Sequence, residues 1–498
     1  MGREKFNSRL GFILVSAGCA IGLGNVWKFP YICAKYGGAA FILIYLLFLA
    51  VIALPILIAE FGVGRGSRQS IITAYSKLQS PRGRFGMNKY VGMAGSYLLM
   101  MFYTMVCGWM MIYAVKMVNG ELEGLDTAAL KNQFDGMLAD PLGLTIFTVI
   151  TITVSFGICF LGLKNGVEKI TKVMMMILLL LLVVLAVNSL TLENAGKGIE
   201  YYLVPDFSAF EEYGLGTVIF NAMTHAFFTL SVGIGSMEIF GSYLSKERSL
   251  TGEAISVTVV DTFVALTAGL VIIPACAAYD VPLDSGPSLL FISLPNVFNN
   301  MPGGRIWGVL FFVLMTFAAL STVIAVFENI IAMCMDNWNI SRKKAVAINL
   351  PLMIVLSLPA IFGYNILSGV NPLGEGTTIM DFEDFIVSTN LLPLGSLLVV
   401  ILCTHKHGWG WDNFLAEVNT GKGIAFPKLL KNYMKWILPV IIIGVYLKGY
   451  YDMFAPQGPL ALTLWMLFAV AFLAVILFFA LPKPEKRKAA VIAENKEN

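Results

Sequence analysis

The chain has 498 residues, 57% hydrophobic and 13% charged, with a mean hydropathy of +0.78 and a formal net charge of +3. So few charges cannot cover the surface of a soluble protein of this length. The net charge is small and membrane topology accounts for the basic residues, so no nucleic acid is expected as a partner.

The apolar runs between the charges have the length that crosses a bilayer core, about 20 residues. In chain order they predict about twelve spans, at 10–34, 38–64, 90–118, 142–162, 170–191, 215–244, 252–279, 305–335, 344–363, 380–403, 433–453 and 459–481. A membrane β-barrel shows shorter alternating segments, so the spans are helical and the fold class is an all-α polytopic membrane protein in a lipid bilayer. Lys and Arg collect on one side: Arg3, Lys5 and Arg9, then Arg65 to Lys89, Lys164 to Lys172, Lys246 and Arg248, Arg342 to Lys344, and Lys406 to Lys435. The opposite loops are acidic or neutral, with Glu121, Glu123, Asp126, Asp135 and Asp140 in one and Glu193 to Glu212 in another. Both termini are therefore expected in the cytoplasm. The first span lacks a small-residue cleavage site and is expected to stay rather than act as a cleaved signal peptide. Cys19, Cys33, Cys107, Cys159, Cys276, Cys334 and Cys403 all fall in or at the edge of spans, which predicts neither a disulfide nor a Cys/His metal site.

Two spans are interrupted. The first carries Gly18-Cys-Ala-Ile-Gly22-Leu-Gly24-Asn25, and the sixth carries Phe227-Phe-Thr229-Leu-Ser231-Val-Gly233-Ile-Gly235. Glycine costs about 1 kcal/mol in a helix interior, and freed backbone groups in lipid cost more. One such segment alone is as well explained by close helix packing at small residues. Two, five spans apart, predict a five-plus-five inverted repeat with a site where the breaks face each other. The implied units are an N-terminal segment 1–9, a first repeat 10–191, a second repeat 192–403, a loop with the last two spans at 404–481, and a tail 482–498. At such breaks half-helix N-termini favour an anion and exposed carbonyls favour a cation. Asn25, Thr229, Ser231, Asp261, Ser321 and Thr322 add hard oxygen ligands. A hydroxyl in a span commonly bonds its own backbone. A carboxylate such as Asp261 near mid-membrane instead marks an ion or proton path.

These residues point to a family. Arg9-Leu-Gly-Phe-Ile-Leu through Gly22-Leu-Gly24-Asn25-Val-Trp27-Lys28-Phe29-Pro30, then Gly37-Gly38-x-x-Phe41 and Pro55-x-x-x-x-Glu60-x-x-x-Gly64-Arg65, resemble the first two helices of neurotransmitter:sodium symporters. Phe228-Thr229-Leu-Ser231 and Phe317-Ala318-Ala319-Leu320-Ser321-Thr322 resemble that family's sixth and eighth helices, in its bacterial amino-acid carrier branch. The resemblance implies two sodium ions. The first would be held by Ala20, Asn25, Thr229, Asp261 and a carboxylate oxygen of the substrate. The second would be held by carbonyls of Gly18, Ile21 and Ala318 with the hydroxyls of Ser321 and Thr322. Substrate would lie among Cys19, Ala20, Leu23, Gly24, Leu99, Tyr103, Phe228, Thr229, Ser231, Ile234, Thr322 and Val326. Tyr103 would donate to the substrate carboxylate, and Phe228 would close over it.

Gly22 stands where monoamine carriers of the family have an aspartate, so the substrate is expected to bring its own carboxylate. With Leu99, Ile234 and Val326 in the pocket, that predicts a small neutral amino acid, hydrophobic or aromatic. Asp261 replaces the commoner asparagine and would do the work of chloride, so transport is expected to be chloride-independent. Asp261 is also a candidate for taking up a proton on the empty return step.

For the gates, the resemblance pairs Lys28 with Asp381 outside, Glu383 and Asp384 being alternatives. Inside, it pairs Arg3 with Asp336 near Tyr243. His225 is expected to pack or hydrogen-bond beside the pocket, and His405 and His407 to be solvated. The stretch 421–427 is expected to be a linker, and the polar tail after Pro484 to lack order. No nucleophile–base pair supports an enzyme, and no continuous polar path supports a channel. An amino-acid sensor of identical site, or a carrier of small amines or betaine-like compounds, stays open beside the symporter. A bacterial inner membrane and a monomer or loose dimer complete the expectation.

Overall fold

The computed structural model describes residues 4–283 and 286–483. Arg3 and the tail beyond Lys483 lie outside the described residues, so the expectations placed on them are not addressed. Among the described residues, ten helices are long and apolar enough to cross a membrane: Ala39–Ser67, Phe85–Asn119, Pro141–Phe160, Leu163–Leu190, Leu250–Ala278, Gly304–Trp338, Arg342–Phe362, Ile379–Thr404, Lys428–Gln457 and Pro459–Ala480. The first span is a bent pair, Arg9–Ala20 and Gly24–Lys35, turning by 63° at its break. The sixth is Leu215–Phe228 followed, after the seven non-helical residues 229–235, by Ser236–Ser242. Together these make the twelve spans and the two broken helices of the five-plus-five architecture. Most ends match the sequence limits within a few residues. The fifth and eleventh spans start earlier, at Leu163 and Lys428.

Prolines shape several spans in one recurring way. Wide, π-type turns occupy Gly24–Lys28, Leu49–Ala53, Leu289–Ser293, Phe385–Leu391 and Tyr433–Ile437. Each ends two residues before a proline: Pro30, Pro55, Pro295, Pro393 and Pro439. A proline ring collides with the carbonyl four residues back and offers no N–H to it, so the turn before it widens. In the first and tenth spans that widening falls beside the site.

The break in the sixth span is set by backbone angles that side chains resist. Ser231, Gly233 and Gly235 have φ of +50°, +110° and +85°. Glycine adopts these freely, whereas a side chain is strained there. A Cβ on Gly233 would also lie 2.1 Å from the carbonyl oxygen of Leu392. The tenth span thus presses directly on the break, and only glycine allows it. Ser231 accepts its strained angle while its hydroxyl donates to the Cys19 carbonyl at 3.1 Å, tying the two breaks together.

Around the breaks, the eighth span packs along the third, and Ser236–Ser242 packs against the second span. Short helices cover the ends: Thr127–Ala139, Gly196–Leu203 and Ser208–Glu212 on one side, Trp411–Val418 on the other. The stretch 421–427 departs from the linker expectation. Lys422 exchanges backbone hydrogen bonds with Glu247 and Ser249 at 2.8 and 3.1 Å, and Asn419 and Phe426 bond each other in both directions at 2.6 and 3.2 Å. Phe426 is buried against Trp411 and Phe414, so apolar burial fixes this loop despite its Gly and Pro content.

Candidate functional site

A cavity of about 550 Å³ lies where the two breaks meet. Ala20, Gly22, Leu23, Gly24 and Asn25 line it from the first span, Leu99 and Tyr103 from the third, Phe228, Thr229, Ser231 and Ile234 from the sixth, and Thr322 and Val326 from the eighth. It continues past Lys28, Asn221, His225, Asp384 and Asp452 toward the span ends opposite the N-terminus.

On one side of the cavity stands a fully buried oxygen cluster. Asp261 Oδ1 accepts from Asn25 Nδ2 at 2.9 Å, and its Oδ2 accepts from the Thr229 hydroxyl at 2.9 Å. Asn25 Nδ2 also lies 3.4 Å from Thr229 Oγ1, while the Gly22 N–H donates to Asn25 Oδ1 at 3.3 Å. Three spans thus converge on one carboxylate that has no protein cation among its hydrogen-bond partners. A buried charge of this kind needs a counter-charge, and oxygen donors of these types suit a hard monovalent cation.

A second cluster joins the first and eighth spans. Ser321 Oγ lies 3.0 Å from the Gly18 carbonyl and 2.9 Å from that of Ala318. Thr322 Oγ1 lies 3.1, 3.2 and 3.4 Å from the carbonyls of Gly18, Ile21 and Ala318. The carbonyls of Gly18 and Ile21 are turned to this point because the helix ends at Ala20, leaving last-turn acceptors unpaired. Five neutral oxygens on a common centre are a cation cage without fixed charge.

Tyr103 bridges the clusters: its hydroxyl accepts from the Leu23 N–H at 3.3 Å and stands within hydrogen-bond reach of the Thr322 side chain. A Cβ on Gly22 would lie 3.0 Å from that hydroxyl and 3.8 Å from Thr322 Oγ1, so a larger residue would occupy the same space. Gly24 has nothing within 4 Å of a Cβ position and leaves backbone open to the cavity. Cys19 differs from its expected place. It is buried outside the cavity lining, its thiol beside Ser236 and Glu60, and only its carbonyl serves the site by holding Ser231.

The three acids offered as partners of Lys28 are placed differently from one another. Asp381 turns back on its own helix start: its carboxylate accepts from the Thr378 N–H at 2.7 Å and the Thr378 hydroxyl at 2.8 Å, a reciprocal capping box. That local use takes Asp381 away from Lys28. Glu383 is buried away from the cavity lining. Asp384 lines the cavity with Lys28 and lies within its electrostatic reach, accepting meanwhile from Ser388 at 2.6 Å. His225 packs between the rings of Phe29 and Tyr45, each at 5.4 Å.

At the span ends on the side of the N-terminus, Asp336 accepts from the Ser70 N–H at 2.7 Å. Tyr243 donates to Glu328 at 2.6 Å. Glu328 forms a two-point pair with Arg342 at 2.5 and 2.8 Å, and Arg342 reaches Glu4 at 2.9 Å. This network went unread in the sequence, although an acid inside the eighth span is itself a signal. Arg65, fully buried, pairs with Glu417 at 2.8 Å and donates to the Arg248 carbonyl at 2.6 Å. Glu60, named in the sequence only as part of the second-helix motif, accepts from the Gly233 N–H at 2.5 Å and holds the sixth-span break open. His405 and His407 are half-buried with rings 5.4 Å apart rather than solvated.

Comparison with known proteins bears on this geometry. The model of the sodium:neurotransmitter symporter family matches residues 3–135 and 132–481. The chain is 34% identical over 442 residues to the uncharacterized sodium-dependent transporter YhdH of Bacillus subtilis (strain 168), covering 88% of this chain and 96% of that one. It is 25% identical over 495 residues to the human sodium- and chloride-dependent taurine transporter, covering 89% and 78%. Its structure is similar to that of MhsT in complex with L-phenylalanine, with a TM-score of 0.79 and 35% identity over 90% of this chain and 99% of that one.

Proposed function

The chain belongs to the sodium:neurotransmitter symporter family of sodium-dependent secondary transporters, and we propose that it carries a neutral, hydrophobic or aromatic amino acid into a bacterial cell with two sodium ions. The observation that carries this is the juxtaposition of Asp261–Asn25–Thr229, the neutral cage of Ser321 and Thr322, and Tyr103 around one cavity. Sodium is cargo here. At the first cluster, Asp261, Asn25 and Thr229 would hold it and leave a position facing the cavity for a substrate carboxylate. That carboxylate would accept hydrogen bonds from the Tyr103 hydroxyl and from the open backbone at Gly24. No side-chain acid stands at Gly22 to attract an amine, so the carboxylate is the anchoring group and substrate binding depends on sodium. The apolar walls Leu99, Ile234 and Val326 receive the side chain, as does the half-buried ring of Phe228. L-Phenylalanine in MhsT supports that size class.

The fixed charge of Asp261 balances one sodium within the protein, so transport runs without chloride. Closure toward the outside brings Lys28 and Asp384 together over Phe228. Closure toward the cytoplasm is held by Glu328, Arg342, Glu4 and Tyr243. The repeats 10–191 and 192–403 would supply the halves that rock, in a bacterial inner membrane with both ends cytoplasmic, as a monomer or loose dimer. The test is competition: unlabelled amino acids, amines and betaine-like compounds against a bound neutral amino acid, in sodium chloride and in sodium gluconate. Displacement by hydrophobic amino acids alone, equal in both salts, is expected. Displacement by amines, or a chloride requirement, would overturn the substrate class or the charge argument respectively.

A further inference from the structure

A second groove, of about 540 Å³, lies at the cytoplasmic mouth of the eleventh span, lined by Trp411, Asp412, Leu415, Ala416, Asn419, Lys428 and Lys431. Its walls are built rather than loose. The helix Trp411–Val418 buries Trp411, Phe414, Leu415 and Val418, and Asn419 grips Phe426 from both sides. The chain therefore leaves Phe426 in a set direction and presents Lys428 and Lys431 on one rim, with Lys435 following at helical spacing over the Trp436 ring at 5.0 Å. The apolar surface beside them is exposed: Leu429 is 93% exposed, Trp436 64%, Ile437 53% and Val440 69%. An almost bare leucine between two lysines is out of place in water but suits the boundary where lysine heads meet phosphates and apolar side chains meet acyl chains.

From the joining of these two surfaces we infer a binding site for an anionic glycerophospholipid of the cytoplasmic leaflet, its phosphate between Lys428 and Lys431 and its chains over Leu429, Trp436 and Val440. The charge favours this occupant: the rim carries two lysines against the single acid Asp412, and a third lysine, Lys435, follows four residues on in the chain. A zwitterionic lipid offers no net charge to them, and a free phosphate offers nothing to the apolar half. The assignment rests on the cytoplasmic placement proposed above, but not on the identity of the transported substrate.

Native mass spectrometry of the full-length protein, delipidated in detergent and titrated with phosphatidylglycerol, phosphatidylcholine or inorganic phosphate, tests it. One phosphatidylglycerol per chain is expected to be retained in preference to phosphatidylcholine. K428Q/K431Q should weaken that retention roughly 25-fold, at about fivefold per lysine near the surface. L429S should weaken it with the lysines intact, while K343Q/K344Q, on the same membrane side, should not. Equal retention of both lipids, unchanged retention in K428Q/K431Q, or competition by inorganic phosphate alone would each overturn the site. Sodium-dependent amino-acid binding by the same variants reports their fold and separates this failure from a failure of the transport proposal.

Discussion

Replacing Asp261 by asparagine isolates the charge at the first sodium cluster while keeping its shape. Asp261 is fully buried in the middle of Leu250–Ala278 and bonds Asn25 and Thr229 at 2.9 Å each. An asparagine can keep both contacts, its oxygen facing Asn25 Nδ2 and its NH2 facing Thr229, whose hydroxyl rotates to accept. The fold should therefore persist. What is lost is one unit of negative charge beside the ion. A pair of unit charges about 4 Å apart at an effective dielectric near 20 interacts by about 4 kcal/mol. The amide oxygen still ligates, so roughly half of that is retained, leaving a loss of about 2 kcal/mol, or about 30-fold in half-saturating sodium. In proteoliposomes, Asp261→Asn should shift the sodium dependence of uptake by about that factor, and chloride should recover part of the loss. A sodium curve unchanged from wild type, in a variant that still melts cooperatively, would refute the placement of sodium at this carboxylate.

Other perturbations separate alternatives elsewhere in the molecule. Asp384→Asn should reduce uptake about fivefold or more by removing the charge facing Lys28, whereas Asp381→Ala should lose only its cap, about 1 kcal/mol, seen as a small fall in melting temperature with near-normal uptake. Gly22→Asp places its Cβ 3.0 Å from the Tyr103 hydroxyl; neutral amino-acid uptake should fall more than about tenfold, as an unpaired second acid is buried near the sodium site, and competition by simple amines should appear. Arg342→Ala leaves Glu328 buried without its cation, a change that costs about 3–5 kcal/mol in comparable buried pairs. Maleimide labelling of Cys159, whose carbonyl accepts from Arg342 at 3.2 Å, should then rise as that end of the spans opens, and unaltered labelling would count against a gate there.

The broken spans and Asp261 were legible because lipid makes their features expensive. Paired glycines in a hydrophobic run and a lone acid at mid-membrane have few structural excuses. Ser321 and Thr322 carried no such signal, since hydroxyls in spans routinely bond their own backbone, and Ser321 does so here with Ala318. They stood among the candidate oxygen ligands, but only the family resemblance assigned them to a second sodium. The choice among Asp381, Glu383 and Asp384 depended on side-chain direction. Yet Thr378-x-x-Asp381 is itself a recognisable capping pattern, and it would have withdrawn Asp381 from the gate. The apolar stripe Trp411, Phe414, Leu415, Val418 likewise marks an amphipathic helix before the loop at 421–427. What that helix packs on is a tertiary fact, fixed by Arg65 reaching Glu417 from a residue 352 positions away.

Uptake of a labelled amino-acid panel into proteoliposomes, with and without an inward sodium gradient, bears most directly on whether this protein is an amino-acid symporter. Accumulation of one or a few neutral hydrophobic amino acids against their gradient, only when sodium is higher outside, is the expected result. Saturable sodium-dependent binding with no accumulation would contradict it and make the same site that of a sensor.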